Sequence, residues 1–216
     1  MNKTQTTALV YLAFAVCGVV LIANGVAVES TWLRYPSLAN GIAVIIAVAF
    51  DRWLWKLPAF KGWLVKIPDI SGTWRASLRT TWTSPGTASA ESPLEGFLAV
   101  HQTLTSLRMR LMTSQSVSHL LGAQVTPAAD GSSTIAAVYR NEPSIAVRGG
   151  SPIHHGAMLL YVPSKKEAPI KGTYWTDRAT SGDIELSGRV KDILDDFALA
   201  KQAISPSDAY PDTAAQ

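Results

Sequence analysis

The chain opens with two apolar stretches before its pattern changes. From Ala8 to Val28 the only clearly polar side chain is Asn24, which gives an apolar run of 21 residues. A helix needs roughly 20 apolar residues to cross a hydrocarbon layer, so this run predicts a first transmembrane span. The alternative for this run is a cleaved signal peptide, which the length of the run and the second apolar stretch disfavour.

The second apolar stretch, Ser37–Phe50, is shorter and is extended by the segment DRWLWKLP. Trp, Arg and Lys are enriched where a membrane helix meets the lipid headgroups, so Trp53 and Trp55 are predicted interfacial anchors. The two stretches together predict a two-helix transmembrane domain over residues 1–66.

After Pro68 the chain consists of short segments in which apolar and polar positions alternate, separated by turn residues. Alternation with a period of two is typical of β-strands with one buried face. Eight such segments predict an all-β domain over residues 67–204, an antiparallel up-and-down barrel of the lipocalin-like kind. The predicted strands are Thr73–Trp82, Glu95–Leu104, Leu107–Thr113, Ser116–Thr126, Ser133–Asn141, His155–Pro163, Ile170–Asp177 and Ser181–Val190.

The end of the chain returns to helical spacing. In KDILDDFALAKQAIS the apolar residues Ile193, Leu194, Phe197 and Ile204 recur near a helical period, which predicts a short C-terminal helix. Residues 205–216 are polar and aperiodic, and they are expected to form a flexible tail.

Basic residues predict the orientation in the membrane. The connector between the spans carries Arg34, whereas four basic residues follow the second span: Arg52, Lys56, Lys61 and Lys66. Positive residues favour the cytoplasmic side. The N-terminus and the barrel are therefore predicted to be cytoplasmic.

Charge and cysteine content narrow the possible partners. Residues 1–68 hold six basic and two acidic residues, while residues 69–216 hold thirteen basic and fourteen acidic residues. A barrel without a basic excess is not expected to bind a nucleic-acid polymer. Cys17 is the single cysteine, so no internal disulfide is possible.

The segment KGTYWTDRATSG combines aromatic rings, hydroxyls, a carboxylate and a guanidinium within twelve residues. With Gly172 inside the barrel, alternation places Tyr174, Thr176 and Arg178 on the same inner wall. Arginine binds phosphate or carboxylate through paired donors, and tyrosine stacks and donates, so this wall suits an anionic ligand that carries rings. Each residue taken singly also has a structural explanation: Tyr174 as a core aromatic, Thr176 as a β-former and Arg178 as a solvent-exposed residue at the rim.

Other polar positions are weaker candidates. Trp74 lies on the predicted inner face of the first strand, and Gln102 is the polar exception on the apolar face of the second. Ser116, Ser118, Tyr139 and His155 are further candidates. The adjacent His154 and His155 diverge, and no metal-ligand cluster, phosphate loop or nucleophile elbow stands out. The sequence therefore predicts a protein that is not an enzyme and has no metal or cofactor.

The order of motifs resembles a known family. Two spans are followed by PDISGTW, VHQTL, SQSVSH, YRNEP, HHGA and KGTYWTDRATSG. This order resembles the two-transmembrane, β-strand-rich effectors found beside nucleotidyltransferases in cyclic-oligonucleotide anti-phage signalling (CBASS) operons. The resemblance covers nearly the whole chain, and its most specific parts are G-x-W at Gly72–Trp74 and G-x-Y-W-T-x-R-x-x-x-G at Gly172–Gly182.

The resemblance implies that the barrel binds a cyclic dinucleotide second messenger, that the subunits form a homo-oligomer, and that the spans disrupt inner-membrane lipid and cause abortive infection. On this basis the expected ligand-binding residues are Arg178, Tyr174, Thr176, Gln102, Ser118, Ser116, Tyr139, His155 and Trp74, with Trp82 shaping the pocket beside Trp74.

Two alternatives stay open at the level of sequence. One is a membrane-tethered carrier whose lumen, rich in Leu and Met, holds an apolar ligand. The other is a membrane-bound enzyme that uses His155 or Tyr174 in acid–base chemistry.

Overall fold

The computed structural model describes residues 15, 18, 19, 23, 36–80, 93–165 and 168–204. The chain divides into two compact units. The first unit comprises residues 1–65 with 103–106, and the second comprises residues 66–102 with 107–216.

The first unit contains helix α1, Pro36–Arg52, followed by two 3-10 turns, Leu54–Lys56 and Pro58–Phe60. Helix α1 contains the second apolar stretch of the sequence, and several of its aliphatic side chains are exposed. Within the described residues, no helix combines the length and the apolar character needed to cross a membrane. The first predicted span lies almost entirely outside the described residues.

The aromatic residues after α1 divide into a buried group and an exposed group. Phe50 packs edge-on against Phe60 with the ring centroids 5.1 Å apart, and Trp55 is fully buried. Trp53 and Trp63, by contrast, are 64% and 68% exposed. Of the two tryptophans predicted to face lipid headgroups, only Trp53 is therefore exposed in the fold of this unit.

The second unit is a closed barrel in which each strand pairs antiparallel with its neighbours in the sequence, and the last strand pairs with the first. This confirms the predicted eight-stranded antiparallel barrel. The strands are β1 Gly72–Thr80, β2 Leu94–Gln102, β3 Leu107–Thr113, β4 Ser116–Pro127, β5 Ser133–Pro143, β6 His154–Val162, β7 Ile170–Thr176 and β8 Ser181–Val190.

The side chains that strand alternation predicts to point inward form the buried core of the barrel. Trp74 and Leu78 on β1 and Leu98 and Val100 on β2 belong to one buried cluster. Gly172 also lies inside, where a β-carbon would collide with the backbone carbonyl of Leu159. The predicted inner residue Trp82 lies outside the described residues.

The predicted C-terminal helix is confirmed as α2, Phe197–Ala203. The Asp196 side chain caps it by accepting hydrogen bonds from the backbone N–H groups of Ala198 and Leu199. The helix packs on the outside of β2 and β3, in a second buried cluster made of Phe97, Ala99, Met112, Ala200 and Ile204. The predicted tail, residues 205–216, lies outside the described residues.

One seam of the barrel is short. Strands β3 and β4 pair through only three residue pairs: Arg110 with His119, Leu111 with Ser118, and Met112 with Val117. A bulge follows at Leu120–Gly122, and from there to Pro127 strand β4 pairs with β5 alone. The two strands therefore diverge after Arg110 and His119.

Candidate functional site

The two ends of the barrel interior differ in chemistry. The end at which β1 begins is lined by apolar side chains, here called the apolar end: Ile70, Val100, Leu160, Ile170 and Leu186. The opposite end, at which β5 finishes and β6 begins, is lined by polar side chains and is called the polar end: Ser118, Tyr139, Asn141, His154, Tyr174, Thr176 and Arg178.

Strand register brings the polar end together. Ser118 pairs with Asn141 and Asn141 with His154, which gives one row across three strands. The neighbouring row runs from Tyr139 through Gly156 to Thr176. Alternation predicted one inner wall for Tyr174, Thr176 and Arg178, but β7 ends at Thr176, so Arg178 lies in the following turn, where strand alternation no longer applies. The register adds the residues on β4, β5 and β6.

Two tyrosines lie over glycines of the adjacent strand. Tyr139 pairs with Gly156 and Tyr174 with Gly182. A β-carbon at Gly156 would collide with the Tyr139 ring, and one at Gly182 would lie 2.8 Å from the Tyr174 hydroxyl. Each ring therefore needs a partner strand without a side chain at that position.

The Tyr139 phenol is a neutral hydrogen-bonding group. Burial raises the pKa of Tyr139 to about 12, and nearby Tyr174 and Asp177 add to the increase. Within the described part of the chain, neither the Tyr139 nor the Tyr174 hydroxyl has a hydrogen-bond partner. Both hydroxyls therefore remain free to bind a ligand.

Ser118 and Asn141 form a buried polar pair. The Ser118 hydroxyl donates to Asn141 Oδ1 at 2.8 Å, and both residues are buried. The Asn141 NH₂ group has no partner among the described residues, so its donors are free. Ser116, two residues earlier on the same face, hydrogen-bonds the hydroxyl of Thr113 at 3.1 Å.

Arg178 is half-buried in the turn after β7. Its guanidinium donates to the Ser151 hydroxyl at 2.9 Å and lies 3.5 Å from His154 Nδ1. Thr176 supports the turn, since its hydroxyl bonds that of Thr180 at 2.7 Å and accepts the backbone N–H of Arg178. No carboxylate in the described residues contacts the Arg178 guanidinium.

Gln102 and Trp74 lie at the apolar end. Gln102 Oε1 accepts the backbone N–H of Ile70 and its Nε2 donates to the carbonyl of Pro68, both at 2.9 Å. Trp74 Nε1 donates to the carbonyl of Ile70, and the Arg189 guanidinium lies over its ring. Gln102 and Trp74, both predicted to bind ligand, thus hydrogen-bond the backbone of the segment that leads into β1.

His155 lies on the outer face of the barrel. Its register partner Arg140 points outward, and its ring lies 3.6 Å from the Asp177 carboxylate on the exposed side. The lumen-facing histidine is its neighbour His154. Asn141, His154 and Ser151 were not among the predicted ligand-binding residues. Asn141 shares the parity of Tyr139 on β5, which was a usable signal, whereas Ser151 lies in the loop between β5 and β6, where strand alternation does not apply.

Within the described ranges, the polar end therefore combines Arg178, a cation without a carboxylate partner, with several neutral donors. Such a set suits a ligand that is rich in acceptors and carries negative charge, because each donor then gains a partner on binding.

Comparisons with known proteins agree on one family. Residues 65–188 match the family model described as "Cap15, cyclic dinucleotide receptor domain". The chain is 25% identical over 155 residues to CD-NTase-associated protein 15 of Staphylococcus schleiferi, covering 72% of this chain and 79% of that protein. It is 28% identical over 168 residues to CD-NTase-associated protein 15 of Escherichia albertii, covering 73% and 82%. Because the family match spans more than half of the chain and contains all eight strands except the last two residues of β8, the protein belongs to the Cap15 cyclic dinucleotide receptor family of CBASS effectors.

Proposed function

We propose that this protein is an anti-phage effector that binds a cyclic dinucleotide at the polar end of its barrel, forms oligomers and disrupts the bacterial inner membrane. The infected cell then stops growing or dies before phage is released. The proposal combines membership of the Cap15 family with the chemistry of the polar end.

The observation that carries the proposal is the set of free donors inside one end of the barrel. Arg178 supplies the contact to phosphate. Among the residues that the structure describes, the hydroxyls of Tyr139 and Tyr174 and the NH₂ group of Asn141 have no hydrogen-bond partner. The hydroxyl end of each tyrosine ring lies close to a glycine of the neighbouring strand, and we assign the rings to stacking against the bases. Ser118 and Thr176 act as positioning residues for Asn141 and Arg178.

The apolar end argues against the rival function of a carrier. Leu98, Val100 and Leu160 are completely buried there by one another and by their neighbours. Protein interiors are close-packed, so these buried side chains occupy space in the lumen that an alkyl chain would need. The barrel therefore suits a polar ligand at its polar end better than an apolar ligand in its lumen.

The membrane part of the proposal is supported by the first unit. Helix α1 is apolar, and Trp53 and Trp63 are exposed beside the exposed basic residues Arg52 and Lys61. Exposed Trp with Lys and Arg is typical of a headgroup boundary. With the first apolar stretch of the sequence, this supports two spans, with the N-terminus and the barrel on the cytoplasmic side.

Activation needs more than one contact. A ligand that moves a two-state population from about 1% to about 99% active must favour the active state by about 5.5 kcal/mol. A single hydrogen bond to a charged group contributes about 1.5–3 kcal/mol. Several donors of the polar end, together with contacts between subunits, must therefore favour the liganded assembly.

The test is ligand binding by the full chain in detergent, measured by calorimetry against a panel of cyclic dinucleotides and fatty acids. Arg178→Ala is expected to weaken cyclic dinucleotide binding by about 10- to 100-fold, the effect of one charged contact. Arg108→Ala is the matched control, because Arg108 is exposed on the outside of β3, and its affinity should stay within about twofold.

Two results would count against this function. Equal affinities for Arg178→Ala and the parent chain would remove Arg178 from the site. Binding of fatty acids without any cyclic dinucleotide would replace the signalling function with the carrier.

A further inference from the structure

Strand β4 has a backbone edge that no described strand covers. After His119 it has no register partner on β3, while on its other side it stays paired with β5 from Gly122 to Pro127. We call the segment Leu121–Pro127 the free edge of β4. Alternate backbone N–H and C=O groups of a strand point toward each of its two neighbours, so half of the groups in this segment face away from β5.

The free edge lacks the usual protection against pairing with another strand. Its sequence, LGAQVTP, contains no charged residue, and Pro127 restricts pairing only at its last position. Most of its residues are exposed, including Leu121 at 59%. Natural edge strands are commonly blocked by charges, by proline or by a covering element. The bulge at Leu120–Gly122 bends β4 away from β3 but leaves the six residues from Gly122 extended and paired with β5.

We propose that the free edge of β4 pairs with the free edge of a second copy of this chain, antiparallel and across a twofold axis, in the assembled state. This inference rests on the oligomerisation within the proposed function and names the surface that would carry it. An antiparallel strand edge is complementary to itself, because its donors and acceptors alternate and the twofold axis exchanges them.

The chemistry of the segment favours a second copy as the partner. Two identical charged edges would repel each other across a twofold axis, whereas this edge brings no charge to the contact. The outward-facing positions near the middle of the segment are small or neutral: Gly122 has no atom within 4 Å of a β-carbon built on it, and Gln124 is exposed opposite Ala136. The backbones of two copies can therefore approach to the spacing of paired strands.

The twofold axis predicts a charge-swap experiment at Gln124. In an antiparallel pair of these segments the two copies of Gln124 lie near each other, so Gln124→Lys places two like charges together and Gln124→Glu does the same. Each variant alone is expected to lower the association constant for cyclic-dinucleotide-induced assembly by roughly 1.5- to 5-fold, and an equimolar mixture of the two is expected to restore it.

The control lies one strand away from the edge. Ala136 is exposed on the same face of the barrel and is the register partner of Gln124 on β5. Ala136→Lys therefore adds the same charge to the same face without placing it on the free edge, and it should assemble like the parent chain. Oligomer size is measured on the full chain in detergent by light scattering, with the dissociation constant for the cyclic dinucleotide and the melting temperature measured on each variant.

The outcomes separate this inference from the proposed function. Reduced assembly of both charged variants, with unchanged ligand affinity and rescue by mixing, supports pairing through β4. Unchanged assembly of the Gln124 variants, or an equal loss for Ala136→Lys, overturns pairing through β4 while ligand binding and oligomerisation stand. A parent chain that binds the ligand but stays monomeric overturns both pairing and oligomerisation, and leaves the receptor function intact.

Discussion

The tyrosines of the polar end depend on residues that have no side chain. Tyr139 and Tyr174 each occupy space that a β-carbon on the paired strand would fill, at Gly156 and Gly182 respectively. Glycine in a strand often marks a close approach of neighbouring groups, and here the tyrosine rings, together with the backbone carbonyls of Trp175 and Arg79, leave no room for a β-carbon. These glycines are therefore part of the polar end.

Replacing Gly156 tests this dependence. Gly156→Ala is expected to displace the Tyr139 ring, to lower the free energy of unfolding by about 1–3 kcal/mol through overpacking, and to weaken cyclic dinucleotide binding. Gly149→Ala is the control, because nothing lies within 4 Å of a β-carbon at that exposed turn position. Thermal melts and binding titrations of both variants check the prediction, and equal behaviour of the two would contradict it.

Individual residues also show which structural features the alternation pattern could predict and which it could not. Alternation correctly predicted that Tyr174 and Thr176 share an inner wall, because the period of a strand is local information. It could not reveal that Gln102 bonds Ile70 and Pro68, since those partners are 32 and 34 positions away and depend on how the chain leads into β1. Polar residues on predicted inner faces were therefore good candidates for the site, but the sequence did not show which of them instead hydrogen-bond the protein's own backbone.

Among the elements, helix α2 is attached to the barrel by both packing and charge. Phe197 meets Phe97 edge-on with the centroids 5.4 Å apart. On β2, Glu95 lies 3.0 Å from Lys201 of the helix and 2.9 Å from Arg75 of β1. The hydrogen bond from Lys201, with the charges of Lys201 and Arg75, lowers the pKa of Glu95 against a smaller opposing effect of burial.

This lowered pKa predicts an acid dependence of stability. A carboxyl group whose pKa is lower in the folded state stabilises the fold above its unfolded pKa, and the contribution disappears as the pH falls through the folded value. Glu95→Gln should therefore reduce stability at neutral pH and make stability fall less steeply on the acid side.

The control is Glu185→Gln, at an exposed glutamate of β8 without an ion pair in the described residues, and it should leave the dependence of stability on pH unchanged. Melting temperatures of the full chain across the acid range would decide, and parallel profiles for Glu95→Gln and the parent would refute the role of this ion pair.

The boundaries of the elements were largely predictable, whereas their pairing was not. The predicted strands Leu107–Thr113 and Ser181–Val190 match β3 and β8 residue for residue, because alternation and turn residues mark both ends. The early divergence of β3 from β4 depends on the bulge at Leu120–Gly122 and on register, which no local pattern specifies.

At the scale of the whole molecule, the barrel has one apolar end and one polar end. The closed order of eight strands was predictable from their number and short connections, since sequential antiparallel neighbours form an up-and-down barrel. The separation of the ends was not predictable, because it arises only when the register aligns polar residues of β4 to β8 at the same height. In the proposed function the polar end binds the ligand, while the apolar end contributes to the core of the barrel.

A tube closed by a single chain has no internal symmetry: Arg178 occurs once, and the wall opposite it carries different residues. A cyclic dinucleotide with two identical halves would therefore occupy two unlike environments within one barrel. Its two phosphorus nuclei, equivalent in solution, should give two separate ³¹P resonances of equal intensity when bound to the full chain. A single resonance under slow exchange would instead require the ligand to lie on a symmetry axis between subunits, outside any one lumen.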